Sequence, residues 1–276
     1  MERIQSIIKW AGGKSKLVDQ ITSLFPASFE RYIEPFMGSA AVALNIDCPT
    51  ILTNDGNPDL ACVWKTLQDN PEELIHQVGF LFSGQYNNET DYYQLRKEFN
   101  SRTSSNVRQA ALFIYLNKHG YNGLCRYNRK GEFNVPFGRY NTVGFDPERL
   151  REVAKKIKDW LIFSGDYTHI LMKAGKGDVV YCDPPYVTDA QVKAGFTAYS
   201  PNEFGLRQQK ELALHAMKAA ERGATVIISN HDTAFTRDLY VRYGGELVFL
   251  DVQRNISCKG TKRHKAKELL AVFRPK

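Results

Sequence analysis

Blocks of apolar and polar positions alternate along the first third of the chain. Residues 15–24 put Leu17, Ile21 and Leu24 on one helical face, residues 31–36 read as a strand, 38–45 as a helix of small residues, and 50–54 as a second short strand. This alternation predicts a βα-wound sheet. From Asn57 the period becomes helical. Asn57-Pro58 and Asn70-Pro71 each open a helix, with Asn as cap and Pro at the first position. A third helix is predicted over 91–100, and a fourth, capped by Ser105 or Asn106, carries Val107, Ala110, Ala111, Ile114 and Tyr115. Residues 120–140 are rich in Gly and Asn and hold the turn Arg129-Lys130-Gly131, which predicts an exposed loop and hairpin outside the core. Strand patterns return at 160–164, 178–182, 225–230, 246–252 and 269–273, with a helix over 204–222. The last two strands have no helix between them and are expected to pair antiparallel. The fold class is therefore α/β: a Rossmann-like sheet interrupted by a mainly helical insertion.

The 276 residues are 43% hydrophobic and 24% charged, a globular composition. No apolar run reaches the roughly 18 residues of a membrane span, and the N-terminal stretch has no secretory pattern. Five cysteines with no Cys-x-x-Cys pair, and scattered histidines, argue against both a disulfide framework and a zinc site; a reducing cytoplasm is the expected location. A net charge of +7 suggests a polyanionic partner. Its distribution sharpens this. Arg126, Arg129, Lys130 and Arg139 are interleaved with Tyr121, Tyr127, Phe133, Phe137 and Tyr140, the composition of a nucleic-acid surface. A second basic cluster, Lys259, Lys262, Arg263, Lys265 and Lys267, reads equally well as a solvated loop between two strands.

The chemistry centres on Asp183-Pro184-Pro185-Tyr186, at the end of the buried strand pattern Val179-Val180-Tyr181-Cys182. Two prolines stop the strand and impose extended geometry. A carboxylate, a carbonyl acceptor and an aromatic face then form a rigid cup. Such a cup suits a planar ring with an exocyclic amine: two acceptors take its N–H bonds and Tyr186 stacks on the ring. Alone, the tetrapeptide would also suit a plain loop in which Asp183 caps a turn.

Three further constellations precede it. Lys9-Trp10-Ala11-Gly12-Gly13-Lys14-Ser15 invites a phosphate-loop reading, but Gly-x-x-x-x-Gly-Lys-Ser/Thr needs glycine where Ile8 stands. A glycine turn beside Trp10 and Lys14 fits better: indole for a cation, lysine for a carboxylate. In Glu34-Pro35-Phe36-Met37-Gly38-Ser39-Ala40-Ala41 a strand turns into the predicted helix, whose N-terminus would favour an anionic group. Asn54-Asp55 ends the next strand, where nucleotide-type folds place a carboxylate on ribose hydroxyls; helix capping by Asp55 or Asn57 is the plainer alternative. S-adenosylmethionine fits a ligand with ribose, carboxylate and cation set beside a cup for an amine-bearing ring.

These residues resemble the Dam-type DNA adenine-N6 methyltransferases over nearly the whole length. The matching pieces are KWAGGK at 9–14, EPFMG at 34–38, ND at 54–55, YNGLCRYN at 121–128, GEFNVPFGRY at 131–140, YCDPPY at 181–186, FTAY at 196–199 and ISNHDT at 228–233. The resemblance implies a Rossmann-like methyltransferase domain, 1–56 and 146–276, with an inserted DNA-recognition subdomain, 57–145. It implies methylation of adenine in duplex GATC, with S-adenosyl-L-methionine converted to S-adenosyl-L-homocysteine, no metal, and a protein monomeric in solution. Trp10, Lys14, Asp55 and Asp183 would bind cofactor, and Phe36, Gly38 and Asp166 complete that expected set. Asp183, Pro184, Pro185 and Tyr186 would hold the flipped adenine. Lys9, Tyr121, Asn122, Leu124, Arg126, Asn134, Arg139 and Tyr140 would face DNA, with Arg126 projecting to read sequence.

The chain departs from the family pattern at Ser39 to Ala41, where similar proteins often carry another glycine, and at Gly56, usually apolar. Both bear on the adenosine pocket and neither on a reacting group. Methyl transfer needs no enzyme nucleophile, so Cys125 and Cys182 need no covalent role. The rival functions are methylation of RNA or a protein amide, a silent DNA-binding relative, and a phosphate-loop ATPase.

Overall fold

A computed structural model describes residues 3–187, 204–252 and 266–275, leaving out the side chains of 251, 252, 266 and 267. FTAY at 196–199, and the cluster Lys259, Lys262, Arg263 and Lys265, lie outside the described residues, as does the Lys267 side chain. The elements in chain order are α1 (Val18–Thr22), β1 (Arg31–Glu34), β2 (Thr50–Asp55), α2 (Pro58–Asp69), α3 (Pro71–Leu81), α4 (Glu89–Ser101), α5 (Asn106–His119), α6 (Pro147–Ile157), β3 (Leu161–Ser164), α7 (Thr168–Leu171), β4 (Asp178–Cys182), α8 (Leu206–Glu221), β5 (Thr225–His231), α9 (Ala234–Arg242), β6 (Glu246–Val252) and β7 (Ala266–Phe273). Among the described residues the sheet has seven strands in the order β3-β2-β1-β4-β5-β7-β6, a Rossmann-like α/β architecture. The chain groups into two compact units: Met1–Val18, Met37–Asp47 and Thr53–Gly165 in one; Asp19–Phe36, Cys48–Leu52 and Asp166–Lys276 in the other. The helical stretch 57–145 falls wholly within the first.

In the second unit, β1 and β4 run parallel, with Ile33 opposite Val180, and β4 and β5 run parallel with Val180 opposite Val226. The antiparallel pairing expected of the last two strands is present: β7 runs antiparallel to β6 and to β5. All five residues of β4 are buried, as in parallel strands covered on both faces. Ile33, Leu52, Val180, Ile228 and Leu269 share one core with Leu212, Ala213 and Ala216 of α8. Strand order reverses between β1 and β4. Ligands of open α/β sheets bind outside the carboxyl ends of strands at such a switch point, and here those ends carry Glu34–Phe36 and Asp183–Tyr186.

In the first unit, Asn57 caps α2 by accepting from the N–H groups of Asp59 and Leu60, and Pro58 opens it. Ser105 caps α5. Trp64, Leu67, Val78, Tyr92, Phe99, Phe113 and Tyr115 are fully buried among α2–α5.

Two expectations are corrected. The helix predicted over 38–45 does not form. Ala40 takes a left-handed φ of 54°, which no α-helix accommodates, and only a 3₁₀ turn, Ala43–Asn45, remains. The anion site expected at that helix's N-terminus therefore has no helix behind it. The hairpin at 120–140 is likewise not wholly outside the core. Phe133 and Val135 are buried at 2% and 0% exposure. Asn100 brackets Phe133 through both of its backbone groups, and Tyr92 and Arg96 donate to the Val135 carbonyl at 3.0 and 2.9 Å. The composition signalled surface because apolar residues occupy only one side of the hairpin.

Candidate active site

The loop after β4 carries the predicted cup. Cys182 is buried, Asp183 half-buried, Pro184 buried, Pro185 exposed and Tyr186 half-buried. The Pro185 carbonyl accepts from Gln209 Nε2 at 2.8 Å. The Pro184 carbonyl accepts no hydrogen bond from the described residues, and its neighbour Asp183 carries the carboxylate. The Tyr186 hydroxyl donates to Glu268, and its ring meets His231 edge-on at 4.7 Å between centroids. Burial first, then the Asp183 charge, pushes the Tyr186 hydroxyl well above its ordinary pKa. Tyr186 is therefore a neutral aromatic wall, not a base. Tyr181, beneath the cup, donates to or accepts from Ser229 at 2.7 Å. Burial also raises the Cys182 thiol and pushes Cys125 up to about 11; both remain protonated thiols, consistent with a reaction that uses no cysteine nucleophile.

Phe36 and Asp166 belong to the same unit. Phe36 stacks on Tyr167 at 5.0 Å and meets Phe204 edge-on at 5.5 Å. Asp166 accepts from the Thr168 hydroxyl at 2.6 Å and its N–H at 2.8 Å. Those bonds lower its pKa.

The first unit gathers Trp10, Lys14, Gly38 and Asp55. Met37 N–H donates to the Asn54 carbonyl, and Gly38 N–H to Asp55 Oδ2 at 2.9 Å. The second carboxylate oxygen accepts from Asn57 N–H at 2.8 Å. Burial raises the Asp55 pKa and these two backbone bonds oppose it. The cap of α2 is Asn57, while Asp55 anchors the glycine turn. Gly38 has φ 48°, and a Cβ there would lie 2.7 Å from Trp10 Nε1, so the indole lies against bare backbone. Lys14 is buried, and its Nζ donates to the Gly12 carbonyl at 2.6 Å. A carboxylate with lone pairs to spare, an indole and a buried ammonium fit a ribose, a cation and a carboxylate.

The residues expected to face DNA form two clusters in this unit. Lys9 sits over the Tyr140 ring at 4.5 Å, while the Tyr140 hydroxyl accepts from Asn122 N–H at 2.9 Å. Lys9 N–H and carbonyl are both bound by the Asn117 side chain at 2.8 Å, and burial lowers the Lys9 pKa. Gly123, at φ 62°, meets Lys9 so closely that a Cβ would stand 2.5 Å away. Tyr121 is 47% exposed, Leu124 half-buried. In the second cluster Arg126 binds Asn134; Arg139, apart from it, is exposed with a 3.3 Å contact to Glu89. The expectation that Arg126 simply projects is corrected: a cross-hairpin asparagine holds its guanidinium by one edge.

Sequence reasoning missed Gln209, Asn230 and Glu268, buried polar residues that grip the 183–187 loop. Gln209 carried a readable signal: it shares the buried face of α8 with Leu212, Ala213 and Ala216, where an apolar residue is expected.

The family model for D12 class N6 adenine-specific DNA methyltransferases matches residues 10–256. The DNA adenine methylase of Escherichia coli K12 is 42% identical over 275 residues, covering 100% of this chain and 97% of that protein. That of Serratia marcescens is 42% identical over 275 residues, covering 99% and 100%. That of Haemophilus influenzae is 42% identical over 268 residues, covering 96% and 92%. Among solved structures, a putative class I S-adenosylmethionine-dependent methyltransferase from Listeria monocytogenes aligns loosely: TM-score 0.42, 9% identity, 95% of this chain and 58% of that one. The chain belongs to the D12 class N6 adenine-specific DNA methyltransferase family, as its resemblance to Dam-type enzymes implied. It is an adenine-specific DNA methyltransferase.

Proposed function

We propose that the chain methylates N6 of adenine within duplex GATC, extruding the base and transferring the methyl group directly in line. The observation that carries this reading is the cup at 183–186: a carboxylate beside a carbonyl that accepts no hydrogen bond from the described residues, while the next carbonyl is tied down. Adenine N6 is a poor nucleophile because its lone pair is delocalised into the ring. Asp183 and the Pro184 carbonyl accept its two N–H bonds, drawing the nitrogen towards tetrahedral geometry and stabilising positive charge that grows on it. Tyr186 supplies the stacking face. A stacked duplex hides N6, so the base leaves the helix, and Tyr121, exposed on its turn, is suited to fill the gap.

S-adenosylmethionine, when bound, supplies an activated methyl on a sulfonium. Asp55 would accept its ribose hydroxyls, Lys14 its carboxylate, and Trp10, Phe36, Gly38 and Asp166 would line its site, with Asp183 shared. Residues 57–145 would form the recognition subdomain, whose Asn122, Leu124, Arg126, Asn134, Arg139 and Tyr140 would meet DNA together with Lys9 from the N-terminal segment. The test is methyl transfer from labelled cofactor to duplex oligonucleotides, followed by digestion with nucleases blocked by, or dependent on, N6-methyladenine in GATC. Methylation confined to GATC supports the reading; equal methylation of singly altered sites overturns the specificity.

A further inference from the structure

Pro185 and Val187 flank Tyr186, and a chain of two buried amides ties down both. Gln209 Nε2 donates to the Pro185 carbonyl at 2.8 Å. Gln209 Oε1 accepts from Asn230 Nδ2 at 3.0 Å. Asn230 Oδ1 accepts from Val187 N–H at 3.1 Å and from His231 N–H at 2.9 Å. The second Asn230 amide proton goes to the Tyr240 hydroxyl at 2.9 Å. Gln209, Asn230 and Tyr240 are all 0% exposed. The chain has one sense. A carbonyl can only accept and a backbone N–H can only donate, so Gln209 must present its NH₂ to Pro185 and Asn230 its oxygen to Val187. A fully satisfied buried network of this kind fixes one conformation. An apolar side chain on α8 would fill the same space and leave the Pro185 carbonyl free to turn. His231 Nδ1 at 2.9 Å from the Val187 carbonyl, and Glu268 on the Tyr186 hydroxyl, complete the grip.

We propose that Gln209 and Asn230 are positioning residues for methyl transfer: through the Pro185 carbonyl and the Val187 N–H they hold the 184–186 segment so that the Pro184 carbonyl and Asp183 receive the target amine. The inference rests on the reading of 183–186 as the amine cup. Gln209 reaches neither base nor cofactor in this role. It sets which of two consecutive carbonyls is occupied by protein and which is left for substrate.

The test uses full-length Gln209→Met, Gln209→Glu and Asp183→Ala with duplex GATC at saturating cofactor. Gln209→Met keeps the volume and removes the donor. Its single-turnover rate is expected to fall about tenfold to a hundredfold, the scale of a small misplacement of reacting groups. Its affinities for DNA and cofactor should change less than about threefold, a kcat effect without a KM effect. In Gln209→Glu a protonated carboxyl can donate to Pro185 and an ionised one cannot. Its rate relative to wild type should therefore rise as pH is lowered from about 9 to about 6, the range into which burial moves a carboxyl. A Gln209→Met protein that melts lower but transfers at the wild-type rate overturns the proposal. Should that variant fail to fold, a flat pH ratio for Gln209→Glu overturns it instead. Asp183→Ala separates the two levels: a wild-type rate there overturns the cup itself, whereas a loss there with none in the Gln209 variants overturns only the positioning role.

Discussion

Arg126 and Asn134 face each other across the hairpin: Arg126 Nε donates to Asn134 Oδ1 at 2.7 Å and Nη2 to the Asn134 carbonyl at 3.2 Å, while Asn134 N–H returns a bond to the Arg126 carbonyl at 3.0 Å. One edge of the guanidinium is spent on the protein, and among the described residues Nη1 of this exposed side chain has no partner. In the proposed role the guanidinium would donate to O6 and N7 of guanine, a contact worth roughly 1–3 kcal/mol of discrimination. Arg126→Ala should therefore lower the ratio of kcat/KM on GATC to that on sites altered at an outer base pair, with cofactor binding unchanged. Asn134→Ala should lower the same ratio by less, because it frees the guanidinium without removing it. Equal weakening on all DNA, with the ratio preserved, would assign Arg126 to phosphate instead.

Asp183→Ala should leave the fold intact and nearly abolish turnover, since the side chain is half-buried at a strand end and its proposed acceptor role has no substitute on the loop. A variant retaining more than about a tenth of the wild-type single-turnover rate, a loss under ~1.4 kcal/mol of barrier stabilisation, would remove Asp183 from the mechanism.

Asp55 should make cofactor binding sensitive to acid. Burial holds its pKa above the ordinary carboxylate value despite bonds from Asn57 and Gly38. The carboxylate is thus lost at a higher pH than a free aspartate's, and a proton there removes an acceptor for ribose. Calorimetric affinity for S-adenosylmethionine should weaken as pH falls towards that raised pKa, and Asp55→Ala should bind weakly with a flatter profile. The linkage to stability has the opposite sign. A raised folded-state pKa contributes stability below the unfolded pKa that is lost as pH rises through the folded one. Weak binding in acid therefore cannot be blamed on this group unfolding the protein. Unchanged affinity in Asp55→Ala would sink the assignment.

How much of this was legible in the sequence depends on how local the cause is. The Asn57-Pro58 helix start, the strand at 178–182 and the turn before Gly131 follow from short-range chemistry, and each stands where the pattern put it. The helix over 38–45 failed because small residues are compatible with helix and with tight turns alike; only the tertiary setting of Ala40 decides. The grip of Gln209 on Pro185 spans 24 residues and that of Asn230 on Val187 spans 43. Neither has a periodic signature beyond a polar residue on an apolar face. The motif residues stand out by type and spacing, whereas the buried amides that bond to their loop do not.

His119 should make the first unit lose stability in mild acid. Its ring is 2% exposed, stacked on Tyr115 at 4.1 Å and edge-on to Phe82 at 4.8 Å. Nδ1 lies 3.0 Å from the Tyr115 carbonyl, which requires a donor there. Burial, with the charge of Lys9 adding to it and the Tyr115 bond opposing, lowers the pKa from 6.5 to about 4. Because the folded pKa is depressed, the unfolded chain takes up the proton first. The neutral imidazole's contribution is fully present above the unfolded value near 6.5 and is lost as pH falls towards about 4. A shift of that size corresponds to about 3 kcal/mol. His119 also accepts Gly138 N–H on its carbonyl at 2.8 Å, so loosening here reaches the segment that carries Arg139 and Tyr140. His119→Gln keeps a donor for Tyr115 and cannot titrate. Denaturant midpoints measured from pH 7 to about pH 4.5 should fall more steeply for wild type than for the variant, even if the variant is less stable at pH 7. Parallel slopes would show that the imidazole titrates alike in the folded and unfolded chains.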